Sequence, residues 1–209
     1  FIRQRATGHA YNPIIASGPN ANILHYNDNN QVCNAGDVIL FDFGAEYANY
    51  ASDLTRTIPV SGKFTKRQKN VYNAVLRIMK ESTKLLVAGN TLQEYNNEVR
   101  ALIERELLKL KLITKSDISR EDPKNPAFRK YFMHGISHFM GLDVHDLGNR
   151  KQPFREGMIF TCEPGIYIPE EKLGIRIEND ILITAKGPKD LMKKIPVEVE
   201  EIEELMNKK

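Results

Sequence analysis

Only two cysteines, Cys33 and Cys162, occur in 209 residues, which excludes a disulfide framework and a paired-cysteine zinc site. Each is expected to be a small buried apolar residue, and a reducing, cytoplasmic setting fits that usage. No apolar run approaches the roughly 18 residues a membrane span requires, and no charged-then-apolar signal segment opens the chain. The opening, FIRQRATGHAYNP, has no initiator methionine, so a chain cut from a longer polypeptide is expected. Positive charge is not concentrated either. The 30 basic and 27 acidic residues intermingle and leave a net charge of +3, whereas nucleic-acid binders cluster their lysines and arginines. Nucleic acid and membrane are therefore set aside as partners.

What is present reads as strands, then helices, then strands. DVILFDFGAEY (37–47) is a short apolar run ended by glycine, and DLTRTIPVSG (53–62) follows with β-branched residues and a turn. At Thr65 the period changes. Thr65 with Gln68 makes a capping box, and Val71, Tyr72, Val75, Leu76 and Met79 recur at helical spacing towards a stop at Gly89. Thr91 with Glu94 caps a second helix carrying Val99, Leu102, Ile103, Leu107 and Leu110 on one stripe. The charges of ERELLKLKLITK read as a solvated helix face, and 115–132, with two prolines, as a surface loop. GMIFTCEPGIYIP and GIRIENDILIT return to strand patterning, and VEVEEIEELMNKK reads as an acidic terminal helix or tail.

The two strand regions echo one another. Asp42 lies six residues after Gly36 and Glu163 six after Gly157, and each is followed two residues later by glycine and soon by tyrosine. A further acid follows in each half: Asp53, eleven after Asp42, and Glu178, fifteen after Glu163. An acid ending an apolar strand is costly to bury unless it is paired or holds a cation. The single-residue alternative is that each acid caps a turn or faces water; the repeat makes that coincidence hard to sustain.

Three of the five histidines, His134, His138 and His145, fall within HGISHFMGLDVHD. His134 and His138, four apart, share a face in a helix or a strand. The zincin motif needs Glu after its first His; Gly135 stands there and excludes it. Four carboxylates with one imidazole are hard ligands suited to Mn, Co, Fe or Zn. Such a set can hold two divalent ions about 3.5 to 4 Å apart and generate hydroxide near neutral pH, which is hydrolase chemistry.

ILHY (23–26), DFGAEYANYASDLTRTIPVSGKF (42–64), HGISHFMGLDVHD (134–146), TCEPGIYIP (161–169) and GIRIENDILIT (174–184) stand in the order found in pita-bread metallopeptidases. The chain resembles that family, and within it the Xaa-Pro aminopeptidases. The resemblance implies an α+β pita-bread (creatinase/aminopeptidase) fold: a curved antiparallel sheet flanked by two pseudo-twofold-related helix pairs. It implies metal ligation by Asp42, Asp53, His138, Glu163 and Glu178, with Asp53 and Glu178 bridging two divalent ions, Mn2+ first among the candidates. It further implies that Glu163 deprotonates the attacking water, that His25, His134 and His145 line the substrate site, and that Arg176 supports the acids. The substrate would be a peptide with proline in second position.

Full-length relatives of that type usually carry an N-terminal domain that shapes the entrance and helps assembly. Residues 1–209 are therefore expected to form a single catalytic domain without it, and the full-length protein to form a homo-oligomer. Cys162 stands where the family more often has an aliphatic residue, a packing substitution. Three alternatives are weighed. Prolidase shares every ligand but takes only dipeptides, and Ser137 in HGISH leans away from it. Methionine aminopeptidase fits GLDVHD and GIRIEND less well. A pita-bread binding module would have lost ligands that are intact here.

Overall fold

In a computed structural model, which describes residues 1–208, the chain runs through β1 (Gly8–His9), β2 (Ile14–Ser17), β3 (Val38–Asp42), β4 (Ala45–Tyr47), β5 (Tyr50–Ala51) and β6 (Thr55–Pro59). β3 buries Val38, Ile39 and Leu40 and is the middle strand of an antiparallel β2-β3-β6 sheet in which Asp42 lies opposite both Ile14 and Thr55. β4 and β5 join through Ala48 and Asn49, both at positive φ (52° and 62°), the turn geometry whose twist suits a tight hairpin.

Then come α1 (Lys66–Thr83), α2 (Leu92–Lys109) and the short α3 (Lys115–Ser119). Both expected capping boxes form, Thr65 with Gln68 and Thr91 with Glu94. Val71, Tyr72, Val75, Leu76 and Met79 of α1 are buried, as are Val99, Ile103 and Leu107 of α2, while Leu102 and Leu110 are half-buried. α1 ends at Thr83, well before Gly89. After it, successive turns carry Leu86 into the core, and Gly89, at φ +92°, donates its amide to the Phe154 carbonyl. Part of the stretch expected as loop, 115–132, is helical. α3 has its own capping box, Thr114 with Asp117, and a 3₁₀ turn spans Ala127–Lys130.

The helix face expected to be solvated holds an exception. Glu106 has no exposed surface and accepts hydrogen bonds from Arg77, Lys109 and Arg105, which pins α2 to α1.

The second half supplies β7 (Ile159–Cys162), β8 (Gly165–Ile168), β9 (Leu173–Arg176), β10 (Asn179–Thr184), β11 (Gly187–Asp190) and α4 (Val199–Asn207). The ladders divide the strands into four short antiparallel sheets. Side chains and stray backbone bonds join the halves: the Glu178 amide donates to the Thr55 carbonyl, Arg56 to the Glu178 carbonyl, and Thr57 Oγ1 to the Arg176 carbonyl. One long helix pair, α1 with α2, is found among the described residues, and α1 packs on β7, β8 and β9. The acidic terminus forms α4, which buries Val199 and Ile202; Lys209 lies outside the described residues. Cys162 is fully buried as expected, but Cys33 is exposed, in an irregular segment whose residues 27–36 all face solvent.

Candidate metal centre

Each acid of the repeat sits where a strand stops. Asp42 ends β3, Glu163 follows β7, Asp53 lies between β5 and β6, and Glu178 between β9 and β10. Apolar strand residues carry these carboxylates inward, and all four line one cavity. His138 arrives differently. Residues 134–148 are neither helix nor regular strand, contrary to the shared-face expectation. The segment runs beside β7 instead: Thr161 donates its amide to the His138 carbonyl, and Glu163 donates its amide to the Ile136 carbonyl.

One ligand atom from each of Asp53, His138 and Glu178 lies within 4.8 Å of the other two. His138 Nε2 is 3.5 Å from Asp53 Oδ2 and 3.6 Å from Glu163 Oε1. Its Nδ1 is 2.9 Å from the Phe139 carbonyl, which assigns the proton to Nδ1 and leaves the Nε2 lone pair facing the acids. Asp42 joins through Tyr11, whose hydroxyl donates to Asp42 Oδ1 at 2.5 Å and also reaches Asp53 Oδ1. Arg176 donates to the other Asp42 oxygen and to the Tyr167 hydroxyl at 2.9 Å. Glu178 accepts from Thr55 Oγ1 at 2.6 Å.

The electrostatics are those of a site short of positive charge. Burial first, then Asp53, Glu163 and Asp42, push the Glu178 carboxyl well above the usual range. Glu163 is pushed up to about 7 by burial, with His138 and Arg176 opposing and Asp53 and Asp42 adding. Asp42 is also raised by burial, against the pull of Arg176. Burial alone would lower His138, but the bond to Asp53 and the charge of Glu163 raise it. Buried carboxylates at such spacing call for a multivalent cation. Oxygen donors with one imidazole fit a hard divalent metal, not a thiolate-bound one.

His25, His134 and His145 line a cavity of about 760 Å³ together with all five candidate ligands and Arg176. They do not play equal parts. His134 has both ring nitrogens engaged, Nδ1 with the Gly135 carbonyl at 2.6 Å and Nε2 with Tyr167 at 2.8 Å, and burial then Arg176 lower it to about 3. It is a neutral wall of the site. His145 packs edge-on against His138, ring centres 4.4 Å apart, and burial then His138 lower its pKa.

Tyr11 and Tyr167 escaped the sequence reading. Tyr167 belongs to the repeat, but its counterpart Tyr47 is 58% exposed, so the echo by itself gave it no role. Tyr11 stands among polar residues with no periodic signal.

Comparison with known proteins agrees with this architecture. The metallopeptidase family M24 matches residues 1–185. The Xaa-Pro aminopeptidase of Haemophilus influenzae is 42% identical over 99% of this chain and 50% of its own length; that of Escherichia coli is 42% identical over 99% and 49%. The structure of zinc-substituted Escherichia coli aminopeptidase P in complex with product superposes with a TM-score of 0.91 at 40% identity, over 99% of this chain and 49% of that one.

The fold is the pita-bread fold of aminopeptidase P. The chain belongs to metallopeptidase family M24, and it spans about half the length of the curated relatives it matches.

Proposed function

We propose that this chain is the catalytic domain of an Xaa-Pro aminopeptidase, a hydrolase that releases the N-terminal residue from peptides with proline in second position. The observation that carries the reading is the convergence of Asp42, Asp53, His138, Glu163 and Glu178 on one cavity. These five side chains would hold two divalent ions, and manganese is the ion we assign. Bound there, such ions supply Lewis-acid activation of water and of the scissile carbonyl.

The chain's own groups divide the remaining work. Glu163 can take a proton from the attacking water and return it to the departing proline nitrogen. His145, exposed to the cavity, donates to the oxygen on which charge develops. Arg176 and Tyr11 hold the Asp42 carboxylate from two sides. A proline ring offers no N–H, so its recognition falls to apolar surface beside His25, where Ile14, Leu24 and Phe139 line the wall. No helix among the described residues is long and apolar enough to cross a membrane. The free, exposed Cys33 favours a reducing cytoplasm.

The test is hydrolysis of Arg-Pro-Pro and of Ala-Pro by metal-free chain reloaded with Mn2+, with bound metal counted in the same sample. Release of Arg with about two ions bound supports the aminopeptidase. Cleavage of Ala-Pro alone makes it a dipeptidase. Bound metal without cleavage of either substrate, or no metal at all, refutes the proposed activity, and the second result favours a binding module.

A further inference from the structure

Four of the five candidate ligands, Asp53, His138, Glu163 and Glu178, lie outside every regular strand, so the strand ladders alone do not fix their backbones. A pair of polar side chains on the neighbouring ladder takes up the Asp53 and His138 amides, beside the backbone bond that the Thr161 amide gives to the His138 carbonyl. Asp180 of β10 lies directly opposite Thr161 of β7, and both are buried. Asp180 Oδ2 accepts the Asp53 amide at 3.1 Å. Thr161 Oγ1 accepts the His138 amide at 3.1 Å and lies 3.5 Å from Glu163 Oε1.

The arrangement follows the repeat. Thr55 stands two residues after Asp53 and reaches across to Glu178; Asp180 stands two residues after Glu178 and reaches back to Asp53. Each half thereby steadies the other half's acid. A carboxylate 1% exposed, with its second oxygen Oδ1 unpartnered among the described residues, is costly to retain for packing alone. Thr161 could be an apolar residue if it only filled β7.

We propose that Asp180 and Thr161 are positioning residues of the metal centre, a cross-strand pair that sets Asp53 and His138 at the spacing two divalent ions require. The proposal rests on the metal-centre reading above. Neither residue is one of the five candidate ligands. They act on ligand backbones, and outer partners of metal ligands typically contribute 10- to 100-fold in metal affinity, roughly, when removed.

The experiment compares the intact chain with Asp180→Ala, Asp180→Asn, Thr161→Val and Thr161→Ser. Mn2+ affinity is measured by chelator competition, and exchange of the Asp53 amide is followed in metal-free protein. Asp180→Ala and Thr161→Val should weaken Mn2+ binding by about 10- to 100-fold. Asp180→Asn and Thr161→Ser, which keep the acceptor oxygen, should restore it. Asp53 amide exchange should quicken in Asp180→Ala and not in Thr161→Val. Unchanged affinity in Asp180→Ala, or an Asn variant as weak as the Ala one, overturns the proposal while leaving the metal centre standing. A wild-type chain that takes up no Mn2+ overturns both.

Discussion

The Arg176 guanidinium donates to Asp42 Oδ2 at 2.5 Å across 134 positions of sequence, and the two side chains are only 5% and 11% exposed. The pair joins the end of β3 to the end of β9 and stands next to three further acids. Removing one member of a buried pair leaves the other uncompensated, at a cost of about 3–5 kcal/mol. Arg176→Leu should therefore lower the urea stability of the metal-free chain by about that amount. The loss should be smaller with Mn2+ bound, since the cation then offsets Asp42. Equal losses with and without Mn2+ would place Asp42 outside the metal's reach.

Glu163 links the site to pH. Its carboxyl is raised from 4.5 to about 7, chiefly by burial, so the folded chain favours the protonated form. The stability this group contributes is fully present below about 4.5 and is lost as pH rises through about 7. Metal-free wild-type chain should lose stability over that window, and Glu163→Gln, which cannot ionise, should flatten the loss. Mn2+ binding near pH 6.5 should also release protons, fewer from Glu163→Gln than from wild type, measurable by calorimetry in buffers of different ionisation enthalpy. Equal release from the two would mean that Glu163 already binds ionised.

Glu106 behaves in the opposite sense. Burial would raise its carboxyl, but hydrogen bonds from Arg77 and Lys109, followed by their charges, outweigh burial and hold it below the ordinary value. Its contribution is present above the ordinary carboxylate pKa and is lost as pH falls below it. Glu106→Gln should cost about 2 kcal/mol near neutrality and make the acid limb of the stability curve shallower. A variant that denatures along the same acid limb as wild type would show that the three cations do not act through this charge.

These sites also mark how far sequence reading reached. α1 and α2 were legible because Thr-x-x-Gln and Thr-x-x-Glu announce their starts ahead of apolar stripes. α3 was missed because Asp117 stands where Glu or Gln is sought, and the prolines after it read as loop. Four of the five candidate ligands stood out as a repeat of acids at apolar strand ends, and His138 was singled out by the histidine-rich stretch together with the family resemblance. Asp180 was not, because its partner is a backbone amide 127 residues away, and such a contact leaves no side-chain pattern. Glu106 looks in the sequence like any helical glutamate, and only the packing of α1 against α2 buries it.

Gly44 follows Asp42 by two residues, and its requirement for no side chain can be tested directly. A Cβ there would lie 1.6 Å from the Ser52 carbonyl oxygen and 3.2 Å from the Asp53 amide nitrogen. Both obstacles are backbone, and Ser52 is held in place by its amide and hydroxyl, each bonded to the Ala45 carbonyl at 3.0 Å. The chain can admit a methyl group only by moving Ser52 and, with it, Asp53. Gly44→Ala should destabilise the fold by about 3 kcal/mol and weaken Mn2+ binding in whatever fraction still folds. Gly8→Ala is the control, since nothing lies within 4 Å of a Cβ at that position. Denaturant midpoints and bound-metal counts on both variants separate the outcomes. If Gly44→Ala matches Gly8→Ala in both, the close approach of the β4–β5 hairpin to Gly44 is not what places Asp53.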